Sequence, residues 1–190
     1  MKLQFVLLNV VLMVSSSVFA QTKPSIPVHK PAVEFGPVPQ ISSLSQVDAE
    51  LHPSQHKLST FGPAPVLTSM WVYAVGSSNV GWEIMQTRGQ FATSQNHGGA
   101  AMRVAVMEIG YGSNPIGALE GNPLDPSKNY KTDSVCISGN NYVWPCPSGG
   151  IIVGYFRYYN IDGTQAVRFN YKNTSTNFPN NTMSASILIL

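Results

Sequence analysis

Eight prolines fall at positions 24, 27, 31, 37, 39, 53, 63 and 65. Each removes a backbone donor and fixes φ, so this stretch cannot run through the interior of a helix or sheet. Residues 21–65 therefore read as extended, unpaired chain outside the core: a linker, a cell-envelope spacer or a propeptide. One short helix is expected at "SQVDAELH", with Ser45 as N-cap and Asp48 three residues on. From Val66 onward the pattern changes to short runs of strand formers separated by turn residues. "VLTSMWVYAV", "GWEIM", Ala100 to Tyr111, "IIVGYFRYYN", "TQAVRFNYK" and "MSASILIL" are the expected strands, and "GSNPIGALEGNPLDPSKNYKTD" is expected to be a polar loop. No heptad or long amphipathic helix interrupts them. The expected fold for residues 66–190 is a single all-β domain, a β-sandwich or partly open barrel.

The first twenty residues, "MKLQFVLLNVVLMVSSSVFA", carry one positive charge, an apolar run, and small residues at Val18 and Ala20. This is the pattern of a secretory signal peptide cut before Gln21, and it is too weakly flanked for a stable anchor. No later run is long enough to span a membrane as a helix. Eleven Lys and Arg balance nine Asp and Glu, which argues against a nucleic-acid partner. Cys136 and Cys146 are the only cysteines. In an oxidising compartment they are expected to pair, and closing a loop of that size contributes about 3 kcal/mol in the chain-entropy account. Two thiols with no nearby histidine are too few ligands for structural zinc.

Candidate chemistry centres on "NHGGAAMRVAVMEIGYG", residues 96 to 112. Glu108 continues the apolar face of Met102, Val104 and Val106, so its carboxylate needs a partner, a proton or an open end of the core. His97 lies eleven residues earlier, which is roughly 35 Å of extended chain, so the two do not form a local dyad. Glu83 in "GWEI" is the other carboxylate that could complete a hydrolytic site with Glu108, as could His97. The alternative is that all three are simply hydrogen-bonded. His52 and His56 face one way on a helix, but Pro53 separates them and no third ligand is evident. Glu120, Asp125, Asn129 and Asp133 are oxygen-rich without EF-hand spacing, so loop solvation is the reading preferred over calcium. No metal and no cofactor is expected.

Asp162-Gly163 is a strong hairpin signal. Taken as a two-residue turn, it sets Tyr158 opposite Val167, Phe156 opposite Phe169 and Gly154 opposite Tyr171 on a core face. The other face then pairs Arg157 with Arg168, with Tyr155, Tyr159 and Lys172 beside them. Like charges directly opposite disfavour a strand pair, so this face is either solvated, compensated by a neighbouring acid, or built to hold an anion.

"VGSSNVGWEI", "NHGG" and "EIGYG" together resemble the YolA-like family of small secreted bacterial proteins, a domain of unknown function, over residues 65–190. The resemblance implies a bacterial, exported protein with no assigned reaction, and it supplies no catalytic residues. The expectation is thus a secreted binding module for an anionic envelope polymer, glycan or partner protein, acting through Tyr155, Arg157, Tyr159, Arg168 and Lys172. The rival is a small hydrolase using Glu108 with Glu83 or His97. A third reading is an inhibitor or toxin-like effector presenting the disulfide loop with Tyr142 and Trp144.

Overall fold

The structure is a computed structural model that describes residues 36–39, 65–138 and 141–190. The expected signal peptide, the helix at Ser45 and the pair His52 and His56 lie outside the described residues. Two antiparallel sheets make up the β-sandwich, and no α-helix occurs among the described residues. None of their helical turns is long and apolar enough to cross a membrane.

The first sheet grows outward from β1 (Ser69–Ser77), whose sequence SMWVYAVGS is buried at every position. Continuous β-branched and aromatic residues suit a strand covered on both faces. β2 (Gly81–Ile84) and β3 (Met102–Ile109) pair with its two edges. β8 (Ile152–Asn160) follows β3, then β6 (Asn129–Ser138) and β7 (Asn141–Val143), giving the order β2-β1-β3-β8-β6-β7. Between Val72 and Ala74 a bulge shifts the β1–β3 register. An extra residue of this kind puts two neighbours on one face, and both Tyr73 and Ala74 join the cluster on the sheet's outer side.

The second sheet has the order β10-β9-β4-β5, from β4 (Ile116–Leu119), β5 (Asn122–Pro123), β9 (Val167–Thr174) and β10 (Thr182–Ile189). Glu120 and Gly121, at φ 47° and 83°, make the tight β4–β5 turn, a conformation that favours glycine at the second position. The core between the sheets joins Met70, Val72, Val104 and Val106 of the first to Phe169, Tyr171, Ile187 and Ile189 of the second. Tyr159 bridges the gap. A Cβ on Gly117 of β4 would lie 2.7 Å from its ring, so only glycine admits this packing.

Two expectations are corrected here. The segment expected to be a polar loop contains β4, β5 and the start of β6, with a single 3-10 turn at Pro126–Lys128. These strands include edge positions, where polar residues meet water and alternation is blurred. The second correction concerns Asp162-Gly163. It is a turn, with Gly163 at φ 81°, but β8 and β9 do not pair across it. Asp162 accepts the Met102 N–H at 2.7 Å and forms an ion pair with Arg103, so the turn is bound to the start of β3. The chain then crosses to the other sheet before β9 begins.

Candidate functional site

The outer face of the first sheet carries an aromatic row. Trp144 stacks on Phe156 at 4.5 Å, Tyr73 meets both edge-on at 5.3 and 4.9 Å, and Tyr158 continues the row beyond Phe156 at 5.7 Å. Strand alternation explains the set: Phe156 and Tyr158 share one face of β8, and the bulge turns Tyr73 to the same side. The Cys136–Cys146 disulfide closes the loop that lays Trp144 across the sheet. Trp144 is only 3% exposed, so this loop turns its tryptophan inward rather than presenting it to a partner. Trp82 of β2 flanks the row and packs over Gly76.

Onto this face comes a four-residue segment, Gly36-Pro37-Val38-Pro39. The indole N–H of Trp82 donates to the Gly36 carbonyl at 2.9 Å, and the Tyr73 hydroxyl donates to the Pro39 carbonyl at 3.0 Å. Val38 is 5% exposed within the aromatic cluster, while Pro37 and Pro39 remain exposed. The expectation that residues 21–65 stay outside the core is therefore wrong at Val38. Among the described residues the segment forms no ladder with any strand, and two side-chain donors and one apolar plug hold it. Alongside it a cavity of about 380 Å³ is lined by Trp82, Tyr130, Lys131, Asp133, Trp144 and Tyr158, among others. Lys131 pairs with Asp133 at 2.7 Å and sits over the Tyr158 ring. Burial, helped by the nearby Asp133 charge, pushes the Tyr158 hydroxyl well above its ordinary range, so it stays a neutral donor.

Glu108 lies on the opposite face, wholly buried between the sheets. Arg157 Nε donates to one carboxylate oxygen at 2.8 Å, and Tyr171 and Asn173 donate to the other at 2.5 Å each. Burial works against the Arg157 charge, but the adjacent carboxylate outweighs it and holds the proton more tightly than usual. Burial and the same carboxylate push the Tyr171 hydroxyl far up. Tyr159 is pushed up to about 12, by burial first and Glu108 next, against a lowering by Arg157. Asn173 is itself oriented, because its Oδ1 accepts from the Asn114 and Thr174 amides. A buried carboxylate surrounded by three donors and covered by a second sheet is a structural pin.

His97 and Glu83 are brought together. His97 Nε2 stands 2.9 Å from Glu83, which also accepts the Ser94 and Gln95 amides at 2.6 and 3.0 Å. Burial alone would raise the Glu83 carboxyl, yet these three donors outweigh it and hold it below the usual range. Glu83 faces Val75 across β1, whereas Glu108 faces Met70. That offset is roughly 15 Å of strand, well beyond the ~5–9.5 Å that separates glycosidase carboxylates. The structure therefore unites Glu83 with His97 and leaves Glu108 apart from both.

The five residues expected on one exposed face are also divided. Tyr155, Arg157 and Tyr159 share the face of Glu108, Val106 and Val104, which is the interior. Arg168 and Lys172 are exposed on the outer side of β9 in the other sheet. Arg157 and Arg168 are not cross-strand neighbours, and the repulsion inferred between them is absent. Of the oxygen-rich residues, Glu120 accepts the Arg168 amide, Asp125 caps the 3-10 turn and Asp133 pairs with Lys131. Each has a separate task. The segment–groove contact was not legible in sequence, although the Gly-Pro-Val-Pro string and a tryptophan beside a glycine-bearing strand were its only signals.

Residues 62–189 match the family described as Domain of unknown function (DUF4879). The chain belongs to that family. No curated protein and no solved structure matches the chain. The matched span contains both sheets, the Glu108 pin and the aromatic row, while Gly36–Pro39 lies ahead of it.

Proposed function

We propose that this DUF4879 member is an exported binding module that takes an extended segment of a partner protein into the aromatic groove. The observation that carries the reading is the pair of carbonyls held by Trp82 and Tyr73, with Val38 between them. Side-chain donors aimed at backbone carbonyls, together with an apolar slot, recognise extended chain without strand pairing. Export is part of the reading, supported by the apolar leader and the disulfide. The test is selection from a randomised peptide library by the full chain carrying Val38→Gly. Peptides should be enriched, and enrichment should vanish when Tyr73→Phe removes the hydroxyl donor alone and Trp82→Phe removes the indole donor with part of its ring. No enrichment by Val38→Gly would contradict the reading.

A second reading keeps the anionic polymer but moves it to the outer side of the second sheet. Lys172, Asn170, Ser184 and Ser186 line an open recess of about 320 Å³, and exposed Arg168 lies farther along the same strand face. Retention on an acidic polysaccharide column should fall for Arg168→Gln/Lys172→Gln. Identical salt elution of variant and parent would end this reading.

A further inference from the structure

The groove's ligand class, and the way access to it is controlled, can be read from the segment that sits there. We infer that the groove recognises a Gly-Pro-x-Pro string with a branched apolar residue at x, and that Gly36–Pro39 is a tethered competitor for that ligand. This rests on the groove reading above and narrows it. The two carbonyls that accept hydrogen bonds belong to Gly36 and Pro39, three residues apart. Three residues make one turn of a polyproline II helix, so such a ligand presents both acceptors on the same side. Pro37 and Pro39 have no N–H to leave unsatisfied, and their exposure shows that they serve by fixing φ rather than by filling the slot. Val38 fills it. Prolines around a buried plug lower the ordering cost of binding, which is how a contact this short gains affinity.

A closely similar string, with alanine in place of the branched residue at x, occurs a second time in the chain. Phe35-Gly36-Pro37-Val38-Pro39 is repeated as Phe61-Gly62-Pro63-Ala64-Pro65, just before the first sheet begins. The docked segment is thus one instance of a pattern. Its tether sets the control. Because the segment belongs to the same chain, it competes intramolecularly, and an effective concentration on the order of millimolar would leave the groove mostly filled against a ligand of micromolar intrinsic affinity. The neighbouring cavity, with Lys131 and Asp133 at its rim, gives an incoming peptide a place to engage beside the resident segment.

Calorimetric titration of the full chain tests this, with a synthetic VEFGPVPQI peptide as probe and VEFGAVAQI as its proline-free control. Val38→Asp puts a charge where the plug was and should release the segment. The expected result is that Val38→Asp binds VEFGPVPQI about tenfold or more tighter than the parent does, and about tenfold or more tighter than it binds the control. If Val38→Asp unfolds, Val38→Gly removes the plug without adding charge and is read in the same way. Equal binding of the two peptides would overturn the proline class and leave the groove reading standing. Equal affinity of parent and variant for VEFGPVPQI would overturn tethered competition. Binding of neither peptide by a folded variant would overturn the ligand class, and the library selection would then decide whether the groove reading falls with it.

Discussion

The two faces of the six-stranded sheet are both apolar and both buried, yet they are closed in different ways. The inner face is covered by a whole second sheet, whose Tyr171 and Asn173 reach across to Glu108. The outer face is covered by the disulfide loop and the short Gly36–Pro39 segment. A face covered by a sheet can hold a charged pin, because the cover cannot leave without unfolding the domain. Where the cover is the Gly36–Pro39 segment, held among the described residues by Val38 and two side-chain hydrogen bonds, it can be lifted at small cost. That contrast separates the structural polar cluster from the functional candidate.

The comparison can be broken most severely from the inner face. Glu108→Gln should destabilise the domain by about 3–5 kcal/mol, because it leaves the Arg157 charge in the interior without its partner. A thermal melt would show a Tm lower by about 10–20 °C, while peptide binding by the molecules that remain folded should not change. A near-neutral Glu108→Gln would mean that Glu108 is not the pin. Reduction of Cys136–Cys146 comes next, at about 3 kcal/mol in the chain-entropy account. Hydrogen exchange should rise around Trp144 before it rises in β3 or β9, and equal loosening of both faces would erase the distinction drawn between them.

A smaller effect tests the edge of the inner face through pH. Glu83 is held below its ordinary value, so it binds fewer protons folded than unfolded. Its contribution is fully present above the unfolded value of about 4.3 and is lost as pH falls through the lower folded value. Glu83→Gln should cost about 1–3 kcal/mol at neutral pH and flatten the acid limb of the stability profile. An acid limb identical to the parent's would show that the carboxyl is not so held. The smallest change, Val38→Ala, should cost about 1.6 kcal/mol of segment docking, corresponding to two buried carbon groups at about 0.8 kcal/mol each. It should raise proteolysis near residues 36–39 while leaving the Tm of the sandwich close to the parent's.

The alternation in β9 was legible from sequence. Val167, Phe169 and Tyr171 face in while Arg168 and Lys172 face out, because a strand with one wet face shows its period plainly. β8 was not legible in the same way. Both of its faces are covered, and Arg157 suggested water on one of them. The residue that cancels that charge is Glu108, forty-nine positions away, and no local pattern announces such a partner. Turn chemistry identified Asp162-Gly163 as a turn, but it does not say whether the flanking strands pair or part. In the site, the place of Glu108 on an apolar face was legible, but the sequence left a partner, a proton and an open end of the core as its alternatives, and the structure supplies the partner. The meeting of His97 with Glu83 depended on how the loop after β2 folds back. The groove was hidden for a further reason: prolines argue correctly against strand pairing, and a segment can be buried without pairing.

The most direct measurement of the central claim is the indole N–H spectrum of the full chain. Three tryptophans give three signals, and only the Trp82 indole N–H is bonded to the Gly36 carbonyl. Val38→Asp should shift that signal toward its solvent-exposed position, and saturating VEFGPVPQI should return it toward the parent's. A Trp82 signal that neither moves in Val38→Asp nor responds to the peptide would contradict an exchangeable cover on the outer face.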